Sequence, residues 1–239
     1  MNYEMRLTGR RESGRNLFHL TFEADGAVLE SYHTAGQFLV VELAGNDGET
    51  KKGFFAIASR PGADRIELLV KRSGQPATAL CDTKIGAVVD CSAAQGAGFA
   101  ALTGRIDHVH LFAMGSGLAP LRAFILTNLT PAPVDRGRGA NGSTPTLSKM
   151  TLWQGSFTKA DLPFRDEYED WEAAGLEINL CLDQDEDQAS GNVIERLNEH
   201  APDMRGSAAY WIGSKEFGQA LRYATAKLGL PEDAIFTNF

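Results

Sequence analysis

The sequence predicts two domains: an N-terminal antiparallel β-barrel over residues 1–102, then an α/β domain with a doubly wound parallel sheet over residues 103–239. Three observations predict this fold class. The first half consists of short alternating apolar segments separated by Gly, Asn and Asp turns. In the second half apolar segments alternate with amphipathic segments of helical length. The 239 residues, 43% of them hydrophobic, are enough for two domains of ordinary size.

Six short strands and one helix are predicted in the first domain, between Tyr3 and about Ala94. The clearest strand segments are NLFHLTFE, GQFLVVEL, FFAIAS, RIELLVK and AVVDCSA. The helix candidate is PATALCDTK, in which Pro76 suits the first turn because a proline there loses no hydrogen bond. Antiparallel strands of this number and length predict a small barrel.

Five strands alternate with helical segments in the second domain, so we expect a parallel sheet covered by helices on both faces. The strand segments are HVHLFAM, MTLWQG, LEINLCL, AAYWIG and AIFTN, and the clearest helices are LAPLRAFILTNL and KEFGQALRYATAKLG. Apolar residues at helical spacing in the last helix are expected to face the core. They are Phe217, Ala220, Leu221, Ala224 and Leu228.

Two polar segments are predicted to be surface loops. The stretch at 130–149 is rich in Pro, Gly, Ser and Thr, which is typical of a mobile loop. The acidic segment DQDEDQ at 183–188 lacks the ligand spacing of a calcium loop, and we expect it to be solvated.

Composition argues against several classes of function. A formal charge of −8 is unsuited to binding a phosphate backbone, so no nucleic-acid partner is predicted. The sequence has no apolar segment approaching the length of a membrane span and no signal-peptide core. We therefore expect a cytoplasmic protein, or one of a plastid or other organelle if a transit peptide has been removed.

The cysteines and histidines do not predict a metal site. Cys81, Cys91 and Cys181 are scattered and without a CxxC pair, so we expect three buried or semi-buried thiols. The five histidines, His108 and His110 among them, lack the spacing of metal ligands.

A glycine-rich loop joins the first strand and first helix of the second domain, in HLFAMGSGLAPLRAFI. Gly115 and Gly117 permit a tight turn and close backbone approach, Ser116 lies between them, and Pro120 is near the helix start. Free N–H groups and the helix dipole at such a position attract a phosphate. The sequence predicts a nucleotide or phosphate ligand here; a glycine-rich turn without a ligand is the alternative.

A barrel followed by GSGLAPLR resembles the ferredoxin-NADP reductase superfamily, whose pyridine-nucleotide loop has the form G-x-G-x-x-P. LWQGSFTKADLPFRDEYEDW is similar to the family's LYYGAR segment and the acidic helix after it, so the resemblance runs nearly end to end. More narrowly, FFAIASRPG, ELLVKRSGQPATALC, SAAQGAGF and the final TNF resemble plant fruit-protein-like FAD/NAD(P)-binding oxidoreductases. The resemblance implies a flavin-binding barrel, a pyridine-nucleotide-binding α/β domain, and FAD and NAD(P)H as cofactors.

The implied flavin site lacks most of the family's polar residues. The family motif R-x-Y-S-x-x-S places its Arg on the flavin phosphate, its Tyr on the isoalloxazine and its first Ser near N5. These positions and the last Ser align with Gly53, Phe55, Ala56 and Ser59. Phe55 either stacks on the flavin or is a barrel-core aromatic, since stacking needs only the ring. Backbone contacts along the strand, at Ile57 among others, would replace the missing polar groups.

The implied phosphate site of the flavin lies at the start of the barrel helix. Gly74 precedes that helix; Ala77 aligns with the family's Ser or Thr, and Thr78 is adjacent. Lys71, like Arg60 and Arg72, either compensates as a phosphate partner or is an exposed surface charge. Losing two hydrogen bonds to a charged group weakens binding by about two to four orders of magnitude, which predicts an exchangeable FAD.

Further residues are implied around the nicotinamide nucleotide. Gly213 follows Ile212, which replaces the family's Cys near the nicotinamide. Phe157 replaces the arginine that grips the 2'-phosphate of NADP, and Ser156 stays as a phosphate contact together with Thr158 and Lys159. NADPH is therefore expected to be no better than NADH. Phe239 either covers the flavin or packs as a chain end on the barrel.

The predicted function is an NAD(P)H-dependent flavoprotein oxidoreductase that passes hydride to FAD and then electrons to a separate acceptor. The acceptor is a partner protein, a free flavin or a small molecule, and the sequence assigns no catalytic side chain. The alternative is a catalytically weakened family member that acts as a nucleotide-binding or protein-interaction subunit.

Overall fold

A computed structural model describes residues 3–44, 49–103, 106–129, 149–184 and 190–238. The first half contains six antiparallel strands and two short helices. The strands are β1 (Tyr3–Glu12), β2 (Leu17–Ala24), β3 (Phe38–Ala44), β4 (Thr50–Ala56), β5 (Ile66–Lys71) and β6 (Val88–Cys91). The helices are α1 (Gly26–Ser31), which was not predicted, and α2 (Ala77–Asp82), which was.

The six strands curl into a barrel-like sheet in the order β4-β3-β6-β1-β2-β5. The edge strands β4 and β5 form no continuous ladder among the described residues: just after β4 the chain meets β5 through the isolated bridge Ile57–Leu68 and the hydrogen bond from Ala58 N to Glu67 O, so the barrel is not fully closed. Alternate residues along the strands point inward and form the core of this half, as period-two patterns require. The largest fully buried members of this core are Met5, Leu7, Leu20, Phe22, Leu39, Ile57, Ile66 and Leu68.

The second half is a five-stranded parallel sheet in the order β11-β10-β7-β8-β9. Its elements are β7 (His108–Met114), α3 (Leu118–Leu129), β8 (Lys149–Ser156), α4 (Tyr168–Ala173), β9 (Leu176–Leu182), α5 (Val193–His200), β10 (Ser207–Ile212), α6 (Lys215–Lys227) and β11 (Ile235–Phe236). Helices α3 and α4 pack on one face of the sheet, and α5 and α6 pack on the other. The predicted barrel followed by a doubly wound sheet is confirmed.

Some details differ from the sequence predictions. In α6, Leu221 and Ala224 are buried and Phe217 and Leu228 are half-buried, but Ala220 is exposed, so its predicted core position is wrong. The stretch 130–148 of the predicted mobile loop lies outside the described residues. The barrel sheet ends at Cys91 and the parallel sheet begins at His108, and a domain division at 102/103 stays our proposal.

All three cysteines are buried and unpaired, as expected. Burial raises the pKa of Cys81 to about 11 and the pKa of Cys91 and Cys181 to about 12, so these thiols are not ionised near neutral pH. Across the described part of the chain, every helix is too short or too polar to cross a membrane.

A buried arginine joins the two halves. Arg122, in α3 of the α/β half, is 6% exposed. Its Nη1 donates to Glu67 Oε2 at 2.7 Å and to the Ala58 carbonyl at 2.8 Å, both in the barrel. Its Nε and Nη2 donate to the Glu167 carboxylate at 2.7 and 3.0 Å, and its guanidinium lies 4.6 Å from the centre of the Phe164 ring. Five N–H donors in a rigid fork suit this arrangement of acceptors.

The β1–β2 turn of the barrel continues this interface along the segment after β8. Ser13 Oγ accepts from Phe164 N at 2.7 Å, and Arg15 N donates to the Ala160 carbonyl at 3.0 Å. Arg11 pairs with Asp166 at 2.8 Å. The hairpin and Arg122 thus fix the barrel against the same side of the α/β half.

Replacing Arg122 by Met should lower the free energy of unfolding by about 3–5 kcal/mol, because Glu67 and Glu167 would then lose their common buried cation. Urea denaturation measures this change. Arg65→Met is the matched control: its guanidinium is exposed and pairs with the exposed Asp64, so stability should stay nearly unchanged. Equal losses in the two variants would contradict the assignment.

Acid should weaken the same interface. Burial opposes ionisation of Glu67, but His19 and Arg122 outweigh it and lower the pKa of Glu67 from 4.5 to about 2. The unfolded chain therefore takes up this proton first, and the stabilisation, complete above pH 4.5, is lost as pH falls towards 2. Denaturation midpoints across this range should fall less steeply for Glu67→Gln than for wild type or for Glu169→Gln, an exposed control. Parallel slopes would exclude Glu67 as the group responsible.

Candidate functional site

A cavity of about 550 Å³ lies between the barrel and the carboxyl ends of β7, β8 and β9. The barrel contributes one wall, made of Arg15, Asn16, Leu17 and Lys71. The α/β half contributes the other residues, which are Met114, Gly115, Ser116, Gly155, Ser156, Phe157, Asp161, Asp183 and Gln184. Ligands of doubly wound sheets bind outside the carboxyl ends of the strands, which is where this cavity is.

The predicted glycine-rich loop forms the floor of the cavity. Residues 115–117 make one 3-10 turn between β7 and the twelve-residue helix α3. Gly115 has φ of +51°, in the left-handed region that favours glycine, and a Cβ atom built there would have no heavy-atom neighbour within 4 Å. The backbone at Gly115 is therefore open to the cavity, and the positive end of the α3 dipole points the same way.

Three other predicted cofactor residues shape the loop and do not line the cavity. A Cβ atom at Gly117 would lie 2.9 Å from the Ile212 carbonyl oxygen, so this glycine lets the loop pack directly on the end of β10. A Cβ atom at Gly213 would lie 2.5 Å from the Phe217 ring. Pro120 is buried in the first turn of α3. These residues shape the crevice between the carboxyl ends of β7 and β10, where the order of strands reverses.

The end of β8 contributes a hydroxyl, and the residue after β8 contributes an aromatic ring. Ser156 is 8% exposed and lines the cavity, and its phosphate contact stays a prediction. Phe157 lies at the mouth with 59% of its surface exposed. The hydroxyl of Thr158 donates to Asp161 Oδ2 at 2.6 Å, so it is not free as the expected phosphate contact.

Sequence reasoning missed the acidic residues of the cavity. Asp183 follows β9 directly and lines the cavity with Gln184. Both are exposed, in keeping with the solvated segment predicted at 183–188, of which 185–188 lie outside the described residues. Burial, and then the charge of Glu195, raise the pKa of Asp183. Its position at the end of an apolar parallel strand was the available signal. Asp161, in contrast, is paired with Arg15 at 3.3 Å.

Phe55 packs against the barrel core and also over Gly53. It is half-buried beside the barrel cluster, and a Cβ atom at Gly53 would lie 2.6 Å from the Phe55 ring and 2.7 Å from Cγ of Pro76. The exposed aromatic residue of this strand is Phe54, with 72% of its surface accessible to solvent. The centre of its ring lies 5.8 Å from that of Phe38. The contacts of Phe55 are those of a barrel aromatic, one of the two alternatives considered.

The rest of the AIAS segment is committed to the barrel and the domain junction. Ile57 is fully buried in the barrel core. Ser59 is 2% exposed, and its hydroxyl accepts from Glu67 N at 3.1 Å while its carbonyl accepts from the Tyr32 hydroxyl at 2.7 Å. Ala56 is half-buried against the α/β half. Ser59 thus holds the β4–β5 connection together.

The predicted phosphate site before α2 has few polar side chains. Gly74 is exposed with φ of +67°, Ala77 packs half-buried against the barrel core, and Thr78 is half-buried. Arg72 pairs with Asp82 at 2.7 Å. Lys71 instead lines the cavity and has no ion-pair partner among the described residues.

These barrel residues do not fit the diphosphate of FAD in the manner that the family resemblance implies. Gly53, Pro76 and Ala77 have no side-chain donor, and Pro76 has no backbone N–H either. Phe55 and Pro76 fill the direction in which a side chain at residue 53 would extend. Phe239 lies outside the described residues; the preceding Asn238 donates to the Gly36 carbonyl at 2.8 Å.

No protein-family model matches the sequence, and no curated protein matches it significantly. The structure, however, is similar to flavohemoglobin from Malassezia yamatoensis, solved with bound FAD and heme: the TM-score is 0.79 at 16% identity, over 99% of this chain and 59% of that one. This chain thus spans less than two thirds of that protein.

Two other solved structures match over nearly their whole length. The flavohem-like FAD/NAD-binding domain of nitric oxide dioxygenase from Vibrio cholerae gives a TM-score of 0.81 at 16% identity, over 98% of this chain and 97% of that one. Ferredoxin-NADP+ reductase from Plasmodium falciparum with 2'P-AMP gives 0.74 at 12% identity, over 98% and 94%. The chain has the two-domain fold of these two structures, as the resemblance implied. The narrower plant fruit-protein-like resemblance stays a prediction.

Gly117→Ala should destabilise the protein by about 1–3 kcal/mol, because the added methyl group would meet the backbone of Ile212. Gly26→Ala is a suitable control, since a Cβ atom there would have no neighbour within 4 Å. Thermal and urea denaturation of the two variants should separate them. A similar stability for both would show that the loop does not depend on this close contact.

Proposed function

We propose that this protein is a pyridine-nucleotide-dependent reductase, which binds NAD(P)H in the cavity between its domains and delivers electrons to a separate acceptor. The observation that supports this most is the open backbone at Gly115, at the start of α3 and at the carboxyl end of the parallel sheet. FAD and NAD(P)H are the proposed cofactors, in agreement with the FAD bound to the similar flavohemoglobin and with the similar FAD/NAD-binding domain from Vibrio cholerae. A flavin, when bound, supplies the acceptor for the hydride of the nicotinamide.

The cavity has groups suited to each part of a dinucleotide. The backbone of the 115–117 turn and the dipole of α3 suit the pyrophosphate, and the Ser156 hydroxyl lies beside them. Asp183 is placed to accept a hydrogen bond from a ribose hydroxyl, the role of acidic residues at such strand ends. The exposed ring of Phe157 offers a stacking surface for adenine. Lys71 supplies a positive charge from the barrel wall.

The same residues indicate that the cavity does not prefer NADPH over NADH. A 2'-phosphate on the adenosine ribose would approach the carboxylate of Asp183. Phe157 stands where the related family has an arginine for that phosphate, and Arg15 is already paired with Asp161. We therefore propose that NADH binds at least as well as NADPH, and a hundredfold preference for NADPH in steady-state kinetics would exclude this.

Asp183→Asn should shift the ratio of dissociation constants towards NADPH by about fivefold, since removing a like charge about 4 Å from a phosphate in a water-exposed site changes the binding energy by about 1 kcal/mol. Titrations at pH 8, where the carboxylate is ionised, measure the ratio. Asp170→Asn is the control, because Asp170 is exposed on α4 and outside the cavity lining. If the ratio of the NADH and NADPH dissociation constants is unchanged in Asp183→Asn, the 2'-phosphate of NADPH does not lie next to Asp183.

The reductase proposal is tested by adding FAD and NADH to the purified protein with ferricyanide as the electron acceptor. Turnover well above that of the mixture without protein would support it, and binding of NADH without turnover would not. The natural acceptor is a partner protein, a free flavin or a small molecule, and ferricyanide stands in for all three.

A second candidate function is supported by the apolar residues at four positions that are polar in the related family: Gly53, Ala56, Ala77 and Ile212. On this proposal the chain is a weakened member that binds a nucleotide, or a protein partner, without efficient turnover. Calorimetry with NADH separates the candidates further, because a protein that binds neither NADH nor flavin would have only the partner-binding role.

A further inference from the structure

The protein's own side chains fill the space beside β4 where a diphosphate would meet the barrel. A Cβ atom at Gly53 would lie 2.6 and 2.8 Å from two atoms of the Phe55 ring and 2.7 Å from Cγ of Pro76. Contacts below 3.0 Å essentially never occur for real Cβ atoms, so something would have to shift before any side chain could extend from residue 53. Phe55 and Pro76 therefore close this part of the barrel surface.

Side-chain donors are scarce around this space, where the half-buried Thr78 supplies a hydroxyl at the start of α2. A diphosphate is anionic, and its binding depends on charge-assisted hydrogen bonds from N–H or O–H groups. Gly53, Pro76 and Ala77 offer no side-chain donor, and the proline ring removes the backbone N–H just before α2. Of the two cations at the end of β5, Arg72 is paired with Asp82, and Lys71 lines the cavity between the two halves.

The end of β4 nearer the α/β half has a different surface. Ala56, Ile212 and Phe236 are half-buried apolar residues packed against one core cluster that spans both halves. A flat ring system binds to such a surface by apolar contact and needs no ion pair. Ala56 at the end of β4 is therefore suited to apolar contact with the ring system of a flavin, whereas Phe55 and Pro76 fill the space beside Gly53.

We propose that this protein recognises a flavin through its ring system, because the described residues at β4 and at the start of α2 do not form a site for the diphosphate of FAD. This rests on the proposed function, of which it narrows the flavin specificity. Riboflavin, FMN and FAD are then equivalent ligands that exchange with solvent. The protein purified without added flavin is colourless.

Titration of the wild-type protein with the three flavins, followed by flavin fluorescence, tests the proposal. The dissociation constants of riboflavin, FMN and FAD should agree within about threefold. FAD bound more than about thirtyfold tighter than riboflavin would overturn the proposal, as would FAD that remains bound through dialysis. Failure of riboflavin to bind at about 1 mM would overturn the ring contact itself.

A pair of variants tests whether Phe55 fills the space beside β4 that the diphosphate of FAD would occupy. In the double variant Gly53→Arg with Phe55→Ala, the ring is removed and a guanidinium is added, so FAD should gain at least about tenfold in affinity relative to riboflavin. Gly53→Arg alone keeps the ring and should gain nothing. A folded double variant without this gain, or an equal gain in the single variant, would contradict the role of Phe55. Melting temperatures establish which variants are folded, and the wild-type titration decides the question if the double variant is not.

A titration with NADH in the absence of flavin keeps the two proposals apart. Loss of NADH binding would defeat the proposed function, yet the comparison of the three flavins would still test the ring-only site. Conversely, a strong preference for FAD would defeat the ring-only site and leave the NADH cavity intact.

Discussion

The buried guanidinium of Arg122 is the contact on which the arrangement of the two halves depends. It lies one helical turn after the glycine-rich loop, so the helix that points its positive end into the cavity is also bonded to the barrel through Glu67 and the Ala58 carbonyl. A buried cation needs these acceptors, because an uncompensated charge in such a place is strongly destabilising. The distance between the Gly115 loop and the barrel wall is therefore set by electrostatics as well as by packing.

Polar groups are distributed unevenly between the cavity and the barrel surface at β4 and α2. The cavity at the strand ends has an open backbone, a helix dipole, Ser156, Asp183 and Lys71. The barrel surface at β4 and α2 has instead an aromatic ring, a proline and an alanine. On our proposal the cavity anchors a nicotinamide nucleotide, whereas the described residues at β4 and α2 do not anchor a flavin diphosphate. A reductase with an exchangeable flavin would have this distribution of polar groups.

Local patterns in the sequence were sufficient for the order of elements and for the glycine-rich loop. Strand alternation and the helical pattern of LAPLRAFILTNL depend on neighbours in the chain, so a single sequence contains that information. The direction of the Phe55 ring, the contact of Gly117 with Ile212 and the pairing of Arg122 with Glu67 depend on residues far apart in sequence, and they were not predictable. Asp183 is exposed, as predicted for its acidic segment, but its place in the cavity depends on residues distant in sequence and was not predicted.

Hydrogen–deuterium exchange with and without NADH, on protein free of flavin, tests most directly whether the nucleotide binds across the two halves. We expect slower exchange in the 115–117 turn, at the strand ends near 156 and 183, and in the barrel segment 15–17. Protection confined to one half, or none at concentrations that saturate binding, would contradict the claim that the cavity held together by Arg122 is the nucleotide site.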